Sequence, residues 1–272
     1  MAKFTCNFIS YTLKRAVDIT VVIPSVTIPE SLGFGKPVPE GFTLKDMMEA
    51  KPDCSHTKKD KYPVLYLFHG MGNNHATWTG YTGIEMYAEE RNIAVVNISA
   101  ENKSYVNHET ATDRFYDFIE EELFDFVCGM FPISRKPEDT YIAGLSMGGF
   151  GTLVHVLSNP EKFHAFGTFS AGIQSTFVGN RPEYDPVTLA KKCIENKVAL
   201  PKGYMSCGGA DDFLKDNYNF YTMLKEAGYD MTWDEIEQYG HEWRFWNIEV
   251  EKFLDWLELV RTDAYAGSKR KI

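Results

Sequence analysis

The sharpest chemical signal in the chain is Gly144-Leu145-Ser146-Met147-Gly148. It follows a short apolar run, 140–143, and opens a helical stretch, 149–157. A serine in G-x-S-x-G between a strand and a helix is the pattern of a nucleophile elbow. The turn is so tight that small residues must flank the serine, and its hydroxyl is pushed out at the carboxyl edge of the sheet. The helix starting beneath it aims free N–H groups and a positive dipole end at the same place. The chemistry expected there is acyl transfer through a covalent serine intermediate.

Such a serine needs a base and an orienting acid, in the chain order Ser, then Asp or Glu, then His. Downstream of Ser146 the histidines are His155, His164 and His241. His155 falls within the helix after the elbow and His164 just before the next strand, positions that favour packing or surface roles. His241 follows a strand-like run, 231–236, and the turn at Gly240, so it belongs on a loop at the carboxyl edge. For the acid, run 203–206 leads into Cys207-Gly208-Gly209-Ala210-Asp211-Asp212. The G-x-x-D spacing from Gly208 places Asp211 on the loop and makes it the preferred orienter. Asp212 is the alternative, with N-capping of the following helix as its other role. Asp230 and Asp234 flank or lie within the next strand and are weaker candidates. A second glycine-bearing turn, His69-Gly70-Met71-Gly72, ends run 64–68. It has the form of the loop that supplies a backbone donor to an oxyanion after an earlier strand. The expected donors are the N–H groups of Met71 and Met147, with His69 bonding the loop backbone as a structural histidine.

Competing chemistries lack their residues. Gly70-Met71-Gly72 has no third glycine at the dinucleotide offset, no G-K-[ST] ends a phosphate loop, and no H-E-x-x-H is present. Cys54 and His56 form an isolated pair, so no metal site and no cofactor are expected. The net charge of −10 supplies no basic footprint for nucleic acid or an anionic membrane. No run approaches the roughly 20 apolar residues of a membrane span. Five cysteines, odd in number and unpatterned, read as reduced thiols. The first ten residues lack a basic region followed by an apolar run, so a secretory signal peptide is not expected and a cytoplasmic location is.

The elements that must hold these residues alternate. Apolar runs at 64–68, 93–98, 140–143, 165–170 and 203–206 read as buried strands. Between and after them lie helical periods, notably Phe115, Ile119, Leu123, Phe126, Val127 and Met130, with Glu120, Glu121, Glu122 and Asp125 on other faces. Trp246, Val250, Phe253, Leu254 and Leu257 repeat likewise near the C-terminus. Alternating strand and helix implies a parallel sheet covered on both faces. Runs 4–9 and 16–23 precede this pattern with no helix between them and fit an antiparallel hairpin at the sheet edge. A Pro/Gly-rich insertion spans 24–62 with one helical turn around Leu44, and an irregular stretch, 172–186, fits a lid-like loop carrying Phe177 and Tyr184. With 272 residues and 44% hydrophobic content, one domain, 1–272, is the expected organisation.

The segments LYLFHGMGNNHATW from Leu65, FPISRKPEDTYIAGLSMGGFGT from Phe131, CGGADDFLKDN from Cys207 and GHEWRFW from Gly240 together resemble carbohydrate esterase family 1. That group holds feruloyl (cinnamoyl) esterases, acetyl xylan esterases and tributyrin-esterase-like proteins, and is related to esterase D. The resemblance covers about 62–257. It implies an α/β-hydrolase fold, a mostly parallel central sheet with helices on both faces and a small lid-like insertion. It also implies carboxylic-ester hydrolysis by Ser146, Asp211 and His241, with oxyanion donors at Met71 and Met147. Small acyl or hydroxycinnamoyl esters of plant sugars are the implied substrates; acetyl xylan hydrolysis, thioester hydrolysis and acyl transfer on the same triad are the alternatives. A non-catalytic binding module on the same fold is disfavoured by the ordered triad. The S-formylglutathione hydrolase branch carries a cysteine-containing loop where this chain has His69 to Gly72, and 24–62 is longer than in the group. The expected partner is a small-molecule ester, and a homo-oligomer is compatible with this reading.

Overall fold

Alternating buried runs become strands because extended backbone in a sheet centre pairs every polar group while burying both side-chain faces. A computed structural model describes residues 1–24, 40–49, 61–173, 179 and 181–259. Its strands are β1 (Ala2–Ser10), β2 (Arg15–Ile23), β3 (Val64–Phe68), β4 (Ala94–Ile98), β5 (Thr140–Leu145), β6 (Ala165–Phe169), β7 (Lys202–Gly208) and β8 (Met231–Ile236). They form one sheet in the order β1-β2-β4-β3-β5-β6-β7-β8. From β4 to β8 neighbouring strands run parallel; β1 and β2 form the expected antiparallel edge hairpin, and β2 lies antiparallel on β4. This is the α/β-hydrolase architecture.

Side-chain alternation splits the core into two layers. On β3, Val64, Tyr66 and Phe68 face one side, and Leu65 and Leu67 the other. The first side is covered by α4 (residues 115–130), α5 (Met147–Ser158), α6 (Pro186–Glu195) and α7 (Leu214–Glu226). The second is covered by α2 (Thr77–Tyr81), α3 (Ile84–Glu90) and α8 (Trp243–Trp256). Of the 24–62 insertion, α1 (Leu44–Glu49) is described and carries the expected helical turn. Most of the rest, Cys54 and His56 included, lies outside the described residues.

Helix α4 departs from its expected regular period. Its middle turn, Phe118–Leu123, is a π-turn between α-helical Phe115–Asp117 and Phe124–Met130. Two acidic residues of this turn meet protein partners. Glu122 accepts from Ser10 Oγ (2.7 Å), Tyr11 N–H (2.8 Å) and Thr12 N–H (2.9 Å), which ties the β1–β2 turn to the helix. Glu120 points inward, to His155 and Lys162.

Candidate active site

Ser146 sits between β5 and α5 with φ 51° and ψ −115°, a strained backbone for a side-chain-bearing residue. Local bonds hold it there. Its N–H donates to the Phe169 carbonyl (3.0 Å), and its carbonyl accepts from Phe150 N–H (3.0 Å) and Gly172 N–H (2.9 Å). The flanking glycines are needed for closeness. A Cβ on Gly148 would collide with the Phe68 and His69 carbonyls, and one on Gly144 with the Gly148 backbone.

His241 lies on the β8–α8 loop, as expected, and its Nε2 is 3.0 Å from Ser146 Oγ. Its Nδ1 is 2.8 Å from Asp211 Oδ2. An ionised carboxylate only accepts, so Nδ1 carries the proton and Nε2 is left to accept from the serine hydroxyl. The ring stands edge-on to Phe213 and Trp246, each at 4.9 Å between centroids. Asp211 is buried. Burial works to raise its pKa, but hydrogen bonds from His241, the Phe213 N–H and Ser170 outweigh it and hold the carboxyl below its ordinary value. Neighbouring Cys207 is not a rival nucleophile, because burial and the Asp211 charge push its thiol up to about 12.

Asp212 does not cap α7. Asp211 makes that turn's side-chain bond itself, accepting from Phe213 N–H at 2.9 Å through the oxygen not used by His241. No side chain caps the helix start at Phe213. His155 and His164 stay away from the serine. His155 is buried between Glu120 and the Tyr105 carbonyl, and His164 packs edge-on against Tyr141. Asp234 instead joins Tyr204 and Lys252.

Met147 is the first residue of α5, where an N–H has no carbonyl one turn earlier to bond. Met71 lies on the loop after β3, next to Gly70, which packs against the elbow: a Cβ on Gly70 would sit 2.6 Å from Leu145 and 3.4 Å from Ser146 Cβ. His69 braces this loop as the sequence suggests. Its Nδ1 donates to the Gly70 carbonyl (2.7 Å), and its Nε2 accepts from Ala100 N–H (3.0 Å). Burial, chiefly, lowers its pKa to about 4, so the ring is neutral around pH 7 and can hold that arrangement.

Several supporting residues carry no motif. Asn102 accepts from Gly72 N–H at 2.7 Å. Buried Asn217 on α7 exchanges two hydrogen bonds with Ala171, the residue before the Gly172 that bonds Ser146. A side-chain amide fixing a loop backbone becomes visible only when both elements are in place. Several aromatics on or near these loops are held in packed clusters. Trp78 is fully buried, with Nε1 donating to the Phe68 carbonyl (3.0 Å). Tyr184 is packed against Tyr116 and under the Arg181 guanidinium. Trp243 stacks on exposed Tyr81 at 5.0 Å, and Phe177 lies outside the described residues.

No cluster suited to a metal ion occurs among the described residues. No helix among them is long and apolar enough to cross a membrane.

Residues 50–253 match the family model described as putative esterase. An acetyl esterase from Caldicellulosiruptor saccharolyticus is 30% identical over 289 residues, covering 96% of this chain and 99% of that protein. The substrate-bound structure of the fluorophosphonate-binding serine hydrolase FphF from Staphylococcus aureus superposes with a TM-score of 0.77 at 25% identity, covering 94% of this chain and 98% of that one. A ferulic acid esterase from Anaeromyces mucronatus, at 14% identity and a TM-score of 0.63 over 97% and 91% of the two chains, shares the fold.

Proposed function

Because the chain belongs to the putative esterase family, we propose that it is a serine carboxylesterase working through an acyl-enzyme on Ser146, His241 and Asp211. The observation that carries the reading is the continuous hydrogen-bonded chain from Ser146 Oγ through His241 to Asp211. As Oγ attacks the ester carbonyl carbon, His241 Nε2 takes its proton. The carbonyl oxygen becomes an oxyanion facing the N–H groups of Met71 and Met147. Collapse breaks the bond to the alkoxy oxygen, and His241 returns the proton to the departing alcohol. A water then repeats the attack on acyl-Ser146, with His241 as base again, and releases the acid. Asp211 holds the imidazole tautomer and stabilises the imidazolium. The reaction draws on no cofactor.

We read the acyl group as small, acetyl foremost. The acetyl esterase relative supports this, and so does the anchoring of Trp78 and Tyr184 in packed clusters. Hydroxycinnamoyl esters of plant sugars are the second reading, supported by the resemblance of the four motif segments. The ratio of kcat/KM for p-nitrophenyl acetate to that for methyl ferulate separates the two.

The central test is Ser146→Ala. Ester hydrolysis should fall to the level left by binding and the oxyanion donors, labelling by a fluorophosphonate should vanish, and the circular dichroism spectrum should be unchanged. A variant keeping more than about a tenth of the wild-type kcat, a loss of only about 1.4 kcal/mol, would place the nucleophile elsewhere.

A further inference from the structure

The proposed Met71 donor depends on the direction of one peptide plane, the Gly70–Met71 unit. The His69 ring bonds the carbonyl of that unit. What fixes His69 is less obvious, since it ends a strand and enters a glycine-rich loop. Tyr105 answers this.

Tyr105 is completely buried although it belongs to the loop after β4. Its backbone is left-handed (φ 62°), as is that of Ser104 before it (φ 53°). Two successive side-chain-bearing residues stay in that region only where surrounding contacts impose it. Those contacts come from both parts of the site. The Tyr105 hydroxyl donates to the His69 carbonyl at 2.8 Å. Its ring stacks on Phe68, the residue before His69, with centroids 4.2 Å apart and planes within 8°. The opposite element is the nucleophile helix: a Cβ on Gly151 of α5 would stand 2.5 Å from the Tyr105 ring. The Tyr105 carbonyl faces His155 Nε2, also on α5, at 3.0 Å. The other nitrogen of His155 meets Glu120 of the π-turn, which Lys162 also pairs. Tyr105 thus bonds the donor loop through its hydroxyl while its ring and carbonyl rest on α5, the helix that follows Ser146.

We propose that Tyr105 is a positioning residue for ester hydrolysis: its hydroxyl holds His69, and through it the Met71 N–H, at a set distance from Ser146. This rests on the reading of Ser146 as nucleophile and Met71 as donor. The hydroxyl touches no substrate atom; it acts by holding a donor where negative charge develops. A donor aimed at the oxyanion contributes more in the transition state than in the ground state. Misdirecting it therefore lowers kcat and leaves substrate binding nearly untouched.

Tyr105→Phe is the test, since it keeps the ring between Phe68 and Gly151 and removes only the hydroxyl. Loss of a whole oxyanion donor costs about 10²–10³ in kcat, and a misaimed donor should lose part of that, about tenfold. We expect kcat on p-nitrophenyl acetate to fall by about that factor with KM within about twofold. Affinity for phenylboronic acid, which forms a tetrahedral adduct on the serine, should weaken by the same factor as kcat. A lower Tm with unchanged kcat well below the transition would mean a structural role only and overturn the proposal. So would a loss confined to KM, or a kcat loss without weaker boronate binding. Should Tyr105→Phe fail to fold, Gly151→Ala pushes on the same ring and must give the same paired loss of kcat and boronate affinity; wild-type values there overturn the proposal. Ser146→Ala is assayed alongside. If it is inactive while Tyr105→Phe is fully active, only the positioning role falls. If Ser146→Ala keeps its activity, the nucleophile reading falls and the positioning role with it.

Discussion

Asp211 uses its two carboxylate oxygens for two different tasks, which is why it cannot be traded for its neighbour. Oδ2 meets the His241 ring and Oδ1 accepts from Phe213 N–H, so the carboxyl is held from both sides, by the start of α7 and by the histidine. Asparagine at 211 would present an amide N–H to a ring nitrogen that already donates, favouring the wrong imidazole tautomer. The comparable change in a serine protease costs about 10⁴ in kcat, and Asp211→Asn should cost a factor of that order on p-nitrophenyl acetate. Asp212 is exposed and has no capping bond, so Asp212→Asn should leave kcat and Tm within error of the wild type. The reverse ranking of the two variants would move the acid to Asp212.

At the scale of elements, the site is a junction of loops at the carboxyl ends of β3, β5, β6, β7 and β8, and backbone meets backbone there with no room between. Gly208 shows how little tolerance there is. It ends β7, and a Cβ on it would collide with the Tyr239 carbonyl on the loop carrying His241. Ala210 N–H also donates to that carbonyl at 2.9 Å, so the acid loop and the base loop share one contact surface. Gly208→Ala should therefore push the two loops apart. Kinetics should show kcat reduced by about 10²-fold, as expected when catalytic groups shift by about 1 Å, with Tm also lowered. Wild-type kcat in that variant would show that the loops can separate without moving His241 relative to Asp211. The glycine is legible in the sequence only as punctuation; its cause is the neighbouring loop.

Across the whole molecule, the α8 side of the sheet holds a charge arrangement that titrates. The Tyr204 hydroxyl, on β7, lies 2.9 Å from both Asp234 Oδ2 of β8 and Glu249 Oε2 of α8. One hydroxyl proton cannot serve two carboxylates. Lys252 pairs with Asp234 at 2.8 Å and reaches Glu249 at 3.2 Å. Burial first, and the Asp234 charge second, raise the Glu249 pKa above its ordinary value, so Glu249 takes up a proton more readily than a free carboxyl as pH falls. A carboxyl whose folded pKa is raised contributes stability that is complete below its unfolded value of 4.5 and is lost as pH rises through the folded value. Glu249→Gln supplies an N–H to Tyr204 at every pH. Its Tm should match the wild type near pH 4 and exceed it increasingly as pH rises to neutral, by about 2–4 °C for each kcal/mol recovered. A Tm difference that does not change with pH would mean that Glu249 does not titrate in this range.

The strands, the edge hairpin, the elbow, and the placing of His241 on the loop after the last strand were all legible in the sequence. Each rests on local physics: period-two or continuous apolar runs, a small-x-Ser-x-small turn between a strand and a helix, and a histidine after the last strand. The place of Asp211 on the loop was legible from its spacing after Gly208, but that it, and not Asp212, meets His241 depends on how the two loops pack. What only the tertiary structure decided are relations between segments far apart in the chain. The contact of Glu120 with His155, the Asn217 amide on Ala171, the Tyr105 hydroxyl on His69 and the burial of Trp78 leave no periodic trace. Hydrophobic pattern and turn chemistry act within about ten residues, so they determine elements and the edge where those elements end. The direction of a side-chain hydrogen bond across that edge depends on how α4, α5 and the loops after β3 and β4 pack together, and packing is a property of the assembled sheet.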